Sequence, residues 1–212
     1  SLRSYIYSRN LAISLNAAPQ SKGVIVFPTR DRDKIKFEKL LKMGWKKLFK
    51  EYKGVFKSSN TCCHLFPEAG VVDTSKFLNN LKDGVKVYFN TTVTDIIDYK
   101  NKILINTRFS KKFEVDYIIW ANGHEMYKNL DEKIIIPTAG QVSFLRSNQL
   151  TKNLKLNFSF GKFFSQSYNN YHQIGATFIR ENFEINNENV VTNFSSIPIN
   201  IIKKFNFKIN DI

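Results

Sequence analysis

Tyr117-Ile118-Ile119-Trp120-Ala121-Asn122-Gly123-His124 is the stretch on which the reading of this chain turns. An apolar, β-rich run stops at a small residue, then an Asn and a Gly. Such a run predicts a buried strand. The small residues after it let another group come close to the backbone at the strand's end. In open α/β sheets, ligands sit in the crevice just outside such strand ends. The stretch therefore reads as one wall of a nucleotide-cofactor site. The other wall is not written in these residues, because no Gly-x-Gly-x-x-Gly occurs among them. The chain is read as a piece of a larger cofactor-binding protein.

Upstream of that stretch the pattern alternates helix and strand. Residues 1–15 read as a helix, with Leu2, Tyr5, Ile6, Leu11 and Leu15 near one face. Residues 23–27 form a short strand that Pro28 and a charged segment end. Residues 33–52 give the clearest helical spacing, through Phe37, Leu40, Leu41, Trp45, Leu48 and Tyr52. Lys36, Lys39, Lys42, Lys46, Lys50 and Lys53 lie largely off that stripe. They are read either as a face for RNA backbone or as a solvated helix face. A third helix starts at Asp73 or Thr74 as its cap and stops before Gly84. Strands at 85–89, 92–98, 102–107 and 113–120 then lead to Ala121-Asn122-Gly123. The second half is more strand-like, at 134–136, 140–145, 156–160, 163–168 and 171–178, with Asn169-Asn170 as a tight turn. The expected class is α/β to α+β. Its parts are a mixed segment over 1–130, antiparallel strands over 131–180 and a truncated continuation over 181–212.

Composition bounds the rest. With 42% hydrophobic residues and 19 Phe in 212 residues, the chain has material for a core, which argues against wholesale disorder. The formal charge of +14 suggests a polyanionic partner. Of the 32 basic residues 25 are Lys, and the abundance of Lys, Asn and Ile also fits a codon-driven bias. Arg would be the better sign of bidentate phosphate recognition. The adjacent Cys62 and Cys63 are unsuited to bridge each other, and with three scattered His they suggest reduced thiols and no metal site. No apolar run reaches transmembrane length and no signal peptide is visible, so a cytoplasmic protein with no membrane partner is expected.

Four segments in order carry a resemblance. They are Phe66-Pro67-Glu68-Ala69-Gly70, Ala121-Asn122-Gly123-His124, Ala139-Gly140-Gln141-Val142-Ser143 and Ile174-Gly175-Ala176-Thr177-Phe178. The first resembles the aromatic-Pro-x-x-Gly turn of D-amino-acid-oxidase-type flavoproteins. Together they resemble the FAD-dependent oxidoreductase half of bifunctional tRNA 5-methylaminomethyl-2-thiouridine biosynthesis proteins. The similarity covers the chain to about Arg180 and fades beyond.

The resemblance implies a flavoenzyme of tRNA modification. It would oxidatively remove the carboxymethyl group from 5-carboxymethylaminomethyl-2-thiouridine at the wobble position. A fused methyltransferase, where present, would methylate the product. FAD would carry the redox step while the protein binds and orients. Carried over residue by residue, Val93 resembles the position whose backbone meets the adenine of FAD. Ala121, Asn122 and Gly123 resemble the turn against the cofactor. Gly140 and Gln141 resemble the strand near the flavin ring and substrate. An ordinary strand Val and a polar residue at a sheet edge are the plainer readings of Val93 and Gln141. The Gly-rich phosphate turn and the family's C-terminal segment have no counterpart in these residues. An isolated chain of this kind is expected to hold FAD weakly and to be inactive. Two other readings stay open: a small-molecule amine or amino-acid oxidase of the same superfamily, and a non-catalytic basic binding module.

Overall fold

The structure, a computed structural model, describes residues 2–18, 23–45, 47–52, 63–123, 137–180 and 184–212. The chain divides into two compact units, Ser1–Asn80 with Thr138–Ile212, and Leu81–Pro137. No helix among the described residues is long and apolar enough to cross a membrane.

The first unit is built on a seven-stranded mixed sheet in the order β2-β3-β1-β9-β10-β11-β8. Its strands are β1 (Val24–Val26), β2 (Lys50–Tyr52), β3 (Cys63–Phe66), β8 (Ser143–Arg146), β9 (Asn157–Ser159), β10 (Phe163–Phe164) and β11 (Tyr171–Gly175). β1 pairs with β9 in parallel, placing Ile25 opposite Phe158, and the other ladders are antiparallel. Side chains on a strand alternate between faces. Ser143 and Leu145 of β8 and His172 and Ile174 of β11 accordingly point inward, while Phe144, Arg146, Tyr171 and Gln173 point out. The Asn169-Asn170 turn between β10 and β11 has φ of 48° and 65°, as a tight hairpin of twisted strands requires. A two-stranded ribbon of β7 (Thr138–Ala139) and β12 (Ile179–Arg180) completes the unit's sheets.

The core lies on the inner face of this sheet. Ile25, Leu145, Phe158, Phe164 and Ile174 meet Ile197, Ile201, Phe205 and Phe207 from the chain's C-terminal part. Phe158 sits at its centre, with ring centroids of Phe27, Phe164 and Phe205 at 6.4, 5.8 and 6.2 Å. Each such side chain contributes about 1.5–3 kcal/mol by leaving water. The apolar run near the C-terminus is thus core, delivered by helix α5 (Ile199–Phe205). Helix α4 (Asn187–Ser195) precedes it and is capped by the Asn186 side chain, which accepts from the Asn189 N–H at 2.8 Å.

Helices α1 (Leu2–Ser14) and α3 (Thr74–Leu81) fall where the pattern places them, and Asp73 caps α3 by accepting from the Lys76 N–H at 3.0 Å. The helix expected over 33–52 is shorter. α2 runs Asp31–Lys42 and ends at Gly44, whose φ of +73° suits glycine and stops the helix. The chain then turns into β2. Phe49, which the helical stripe left out, is buried and stacks on His64 at 4.9 Å, while Trp45 and Leu41 of the stripe stay exposed. Cys63 is buried and its thiol donates to the Tyr52 carbonyl at 3.5 Å. Cys62, Lys46, Lys53, His124 and the strand expected at 134–136 lie outside the described residues.

The second unit contains a three-stranded antiparallel meander, β4 (Val93–Tyr99), β5 (Lys102–Thr107) and β6 (Lys112–Val115). Lys100 and Asn101, with φ of 46° and 67°, make its first turn. The strand expected over 85–89 does not form, and the one expected over 113–120 ends with β6 at Val115. Residues 85–88 and 117–120 have no ladder partner among the described residues. Tyr117 and Ile119 are 88% and 89% exposed, so the reading of 117–120 as a buried strand is corrected. A strand exists only through bonds to a neighbour, and β propensity alone supplies none.

Candidate functional site

A cavity of about 210 Å³ opens in the first unit between β7, the start of β8, β12 and the N-terminal end of α4. Gly140, Gln141, Val142, Thr177, Ile179, Glu184, Ile185 and Asn189 line it, together with Ala139. Gly140 and Gln141, which the resemblance implies lie near a flavin and substrate, are both in this wall.

Gly140 is needed by the chain itself. A Cβ there would stand 3.0 Å from the Thr177 carbonyl oxygen and 3.4 Å from the Ala176 Cβ. The close approach is made by the 176–178 segment running alongside. Gln141 is held from all sides. Its backbone N–H donates to Thr177 Oγ1 at 3.2 Å and its carbonyl accepts from the Thr177 N–H at 3.1 Å. Its side-chain amide donates to the Asn186 carbonyl at 3.0 Å. Its Oε1 accepts from the Asn186 N–H and from Asn189 Nδ2, each at 3.1 Å. The amide thereby ties the N-cap and first turn of α4 to the segment joining β7 to β8, satisfying N-terminal groups that a helix cannot satisfy by itself.

Asn193 continues the brace. It is fully buried, and its amide donates to the Gln141 carbonyl at 2.9 Å and to Ser143 Oγ at 3.0 Å. Its Oδ1 accepts from Lys162 Nζ at 2.9 Å, while Lys162 also donates to the Thr192 carbonyl at 3.3 Å. Burial lowers the Lys162 pKa. Asn186, Asn189 and Asn193 were not singled out in the sequence, and Thr177 entered it only as part of the 174–178 segment. The one available signal was an Asn placed to cap the helix that follows it.

The wall chemistry is that of a positioning site. Its polar atoms are amides and a hydroxyl, and Glu184 is the ionisable side chain among the described lining residues. A redox reaction beside this wall needs an electron acceptor from elsewhere.

The other expected residues belong to the second unit. Val93 opens β4 at a pairing irregularity, opposite Thr107, and is half exposed. Ala121, Asn122 and Gly123 are exposed. Gly123 has φ of +63°, and a Cβ built on it would meet nothing within 4 Å. Among the described residues nothing fills the space over this turn, and its backbone conformation favours glycine.

The sequence matches the FAD dependent oxidoreductase (DAO) family over residues 8–197. The chain belongs to the FAD dependent oxidoreductase (DAO) family. Its fold is also that of solved DAO-type structures. Glycine oxidase from Geobacillus kaustophilus superposes with a TM-score of 0.69 at 17% identity, over 92% of this chain and 60% of that one. L-proline dehydrogenase from P. horikoshii gives 0.70 at 14% identity, over 96% and 61%. A modified fructosyl peptide oxidase from Aspergillus nidulans gives 0.68 at 12% identity, over 96% and 62%. At these identities the likeness is one of fold. The chain spans about 60% of the length of the solved structures it matches. A comparison with curated protein sequences gives no match.

FAD, the family's cofactor, fits these residues in part. The open turn at Gly123 can take a close approach. The pyrophosphate needs a Gly-rich turn feeding a helix N-terminus, and no such motif lies in this sequence.

Proposed function

We propose that this DAO-family chain is the substrate-side portion of an FAD-dependent oxidoreductase that acts on the wobble nucleoside of tRNA. It would remove the carboxymethyl group from 5-carboxymethylaminomethyl-2-thiouridine. The observation that carries the reading is the pair of segments Ala121-Asn122-Gly123-His124 and Ala139-Gly140-Gln141-Val142-Ser143 within a family-matched chain of charge +14. FAD, when bound, supplies the two-electron oxidation of the C–N bond. The substrate carbon beside the amine loses a hydride and the nitrogen its proton, giving an imine. Water then splits the imine into the aminomethyl nucleoside and glyoxylate. The chain's own part is to orient. Val93 and the Ala121, Asn122 and Gly123 turn would border the cofactor, and Gly140 and Gln141 the substrate, with the amide brace fixing that wall. A cytoplasmic location and a fused methyltransferase belong to the same proposal.

An amino-acid oxidase is the second reading, favoured by the fold shared with a glycine oxidase. Anaerobic mixing of the flavin-loaded complete protein with each substrate tests the choice. Bleaching of the flavin band by the modified tRNA, and not by glycine, supports the proposal. Bleaching by glycine alone overturns it.

A further inference from the structure

In the second unit, four lysines hold their ammonium groups over aromatic rings: Lys100 Nζ lies 5.0 Å from the Tyr99 centroid at the β4–β5 turn, and the other three bear on Tyr88, Phe89 and Phe113. Lys111 Nζ lies 3.6 Å from the centroid of Tyr88 and 5.2 Å from that of Phe113. Lys86 Nζ is 5.2 Å from Tyr88, and Lys82 Nζ is 5.4 Å from Phe89. Tyr88 and Phe113 meet edge to face at 4.9 Å, which ties the segment before β4 to β6. Phe89 and Phe109 are 71% and 78% exposed, and Phe109 sits in the same hairpin turn as Lys111. Among the described residues none of Lys82, Lys86 and Lys111 makes an ion pair. Glu114 of β6 alternates to the other face from Phe113. Asp116 pairs with Lys102, and Glu114 acts on the same lysine.

A lysine parked over a ring has lost part of its freedom before any partner arrives, so less is lost on binding. Exposed rings beside pre-placed cations suit a strand whose bases are unstacked and whose phosphates run alongside. We propose that this lysine–aromatic patch is a docking surface for unpaired RNA. Bases stack on Phe89 and Phe109, and phosphates meet Lys82, Lys86 and Lys111. The proposal rests on the tRNA reading above and names its RNA-contacting surface. It also assigns the contact away from the lysines of α2, none of which stands over an aromatic ring among the described residues.

The test is a filter-binding titration of this chain with a tRNA transcript at several salt concentrations. Three variants are compared: Lys82→Glu/Lys86→Glu/Lys111→Glu, Phe89→Ala/Phe109→Ala, and Lys36→Glu/Lys39→Glu/Lys42→Glu on α2. The first should weaken binding and reduce the salt slope by about 2–3, one counterion set per lost phosphate contact. The second should weaken it by roughly 5-fold or more without changing the slope, because stacking releases no ions. The third should bind like the parent chain. Both aromatic positions are solvent-facing, so that variant keeps the fold, which circular dichroism checks. Parent-like binding by the first two variants overturns the patch. So does absence of tRNA binding by the parent chain, or binding only to vesicles of anionic phospholipid. Failure of the substrate reading would look different: the complete flavoprotein would leave bound tRNA unmodified while these variants still lost affinity.

Discussion

Replacing Gln141 with Ala should destabilise the first unit. The side chain makes three hydrogen bonds, to the Asn186 carbonyl, the Asn186 N–H and Asn189 Nδ2, at 3.0–3.1 Å. A typical intramolecular hydrogen bond contributes about 1 kcal/mol net. Asn189 is buried, so its amide would also lose a partner that water cannot fully replace. The expected loss is about 3 kcal/mol. For a chain of this size that corresponds to roughly 6–12 °C in Tm. Gln141→Glu keeps the acceptor oxygen but sets a carboxylate oxygen against the Asn186 carbonyl, and should cost about 2 kcal/mol or more. Urea titration followed by far-ultraviolet circular dichroism reads both variants. A Gln141→Ala chain within about 0.5 kcal/mol of the parent would refute the clamp, since that is the spread of ordinary surface substitutions. Gln141 would then be available to act on a ligand alone.

Three further outcomes are expected. His172 is fully buried, donates from Nδ1 to the Ser165 carbonyl at 2.9 Å, and its Nε2 has no hydrogen-bond partner among the described residues. Burial holds its pKa below the usual value. The unfolded chain therefore takes up a proton near pH 6.5 that the folded chain resists. The unfolded state binds more protons, so stability falls as pH drops below about 6.5 toward the lower folded value. Urea midpoints at successive pH values should show this, and His172→Phe should flatten the dependence. His64, also lowered by burial, adds in the same direction. Gly23→Ala places a Cβ 2.7 Å from the Phe66 carbonyl oxygen at φ of +114°, and should cost about 2 kcal/mol or more on unfolding. Adding FAD to this chain alone should leave Tm unchanged, because stabilisation needs ligand well above its dissociation constant. A yellow chain with stoichiometric flavin after purification would contradict that.

Much of the fold is legible in the sequence where a local rule decides it. The alternation in β8 and β11, the Asn169-Asn170 and Lys100-Asn101 turns and the cap at Asp73 are set by neighbouring residues. Errors arise where the deciding group is distant or the residue ambiguous. Residues 117–120 carry every mark of a buried strand, yet no strand pairs with them among the described residues. Leu40, Leu41 and Trp45 keep helical spacing across Gly44, and the left-handed glycine overrides the period. α4 escaped notice because its buried face is polar: Asn189 and Asn193 look like surface residues until Gln141 and Ser143 are seen opposite them. Gln141 was visible as a residue of interest through its motif. Its partners lie 36–52 positions away, beyond any local pattern.

The central claim is the reaction, and nucleoside analysis reads it most directly. The complete flavin-loaded protein is incubated with tRNA bearing 5-carboxymethylaminomethyl-2-thiouridine, and the digested nucleosides are separated by mass. The account predicts conversion of the wobble residue to 5-aminomethyl-2-thiouridine with one glyoxylate released per residue. An unchanged nucleoside, from a protein that carries FAD and oxidises glycine under the same conditions, would contradict it.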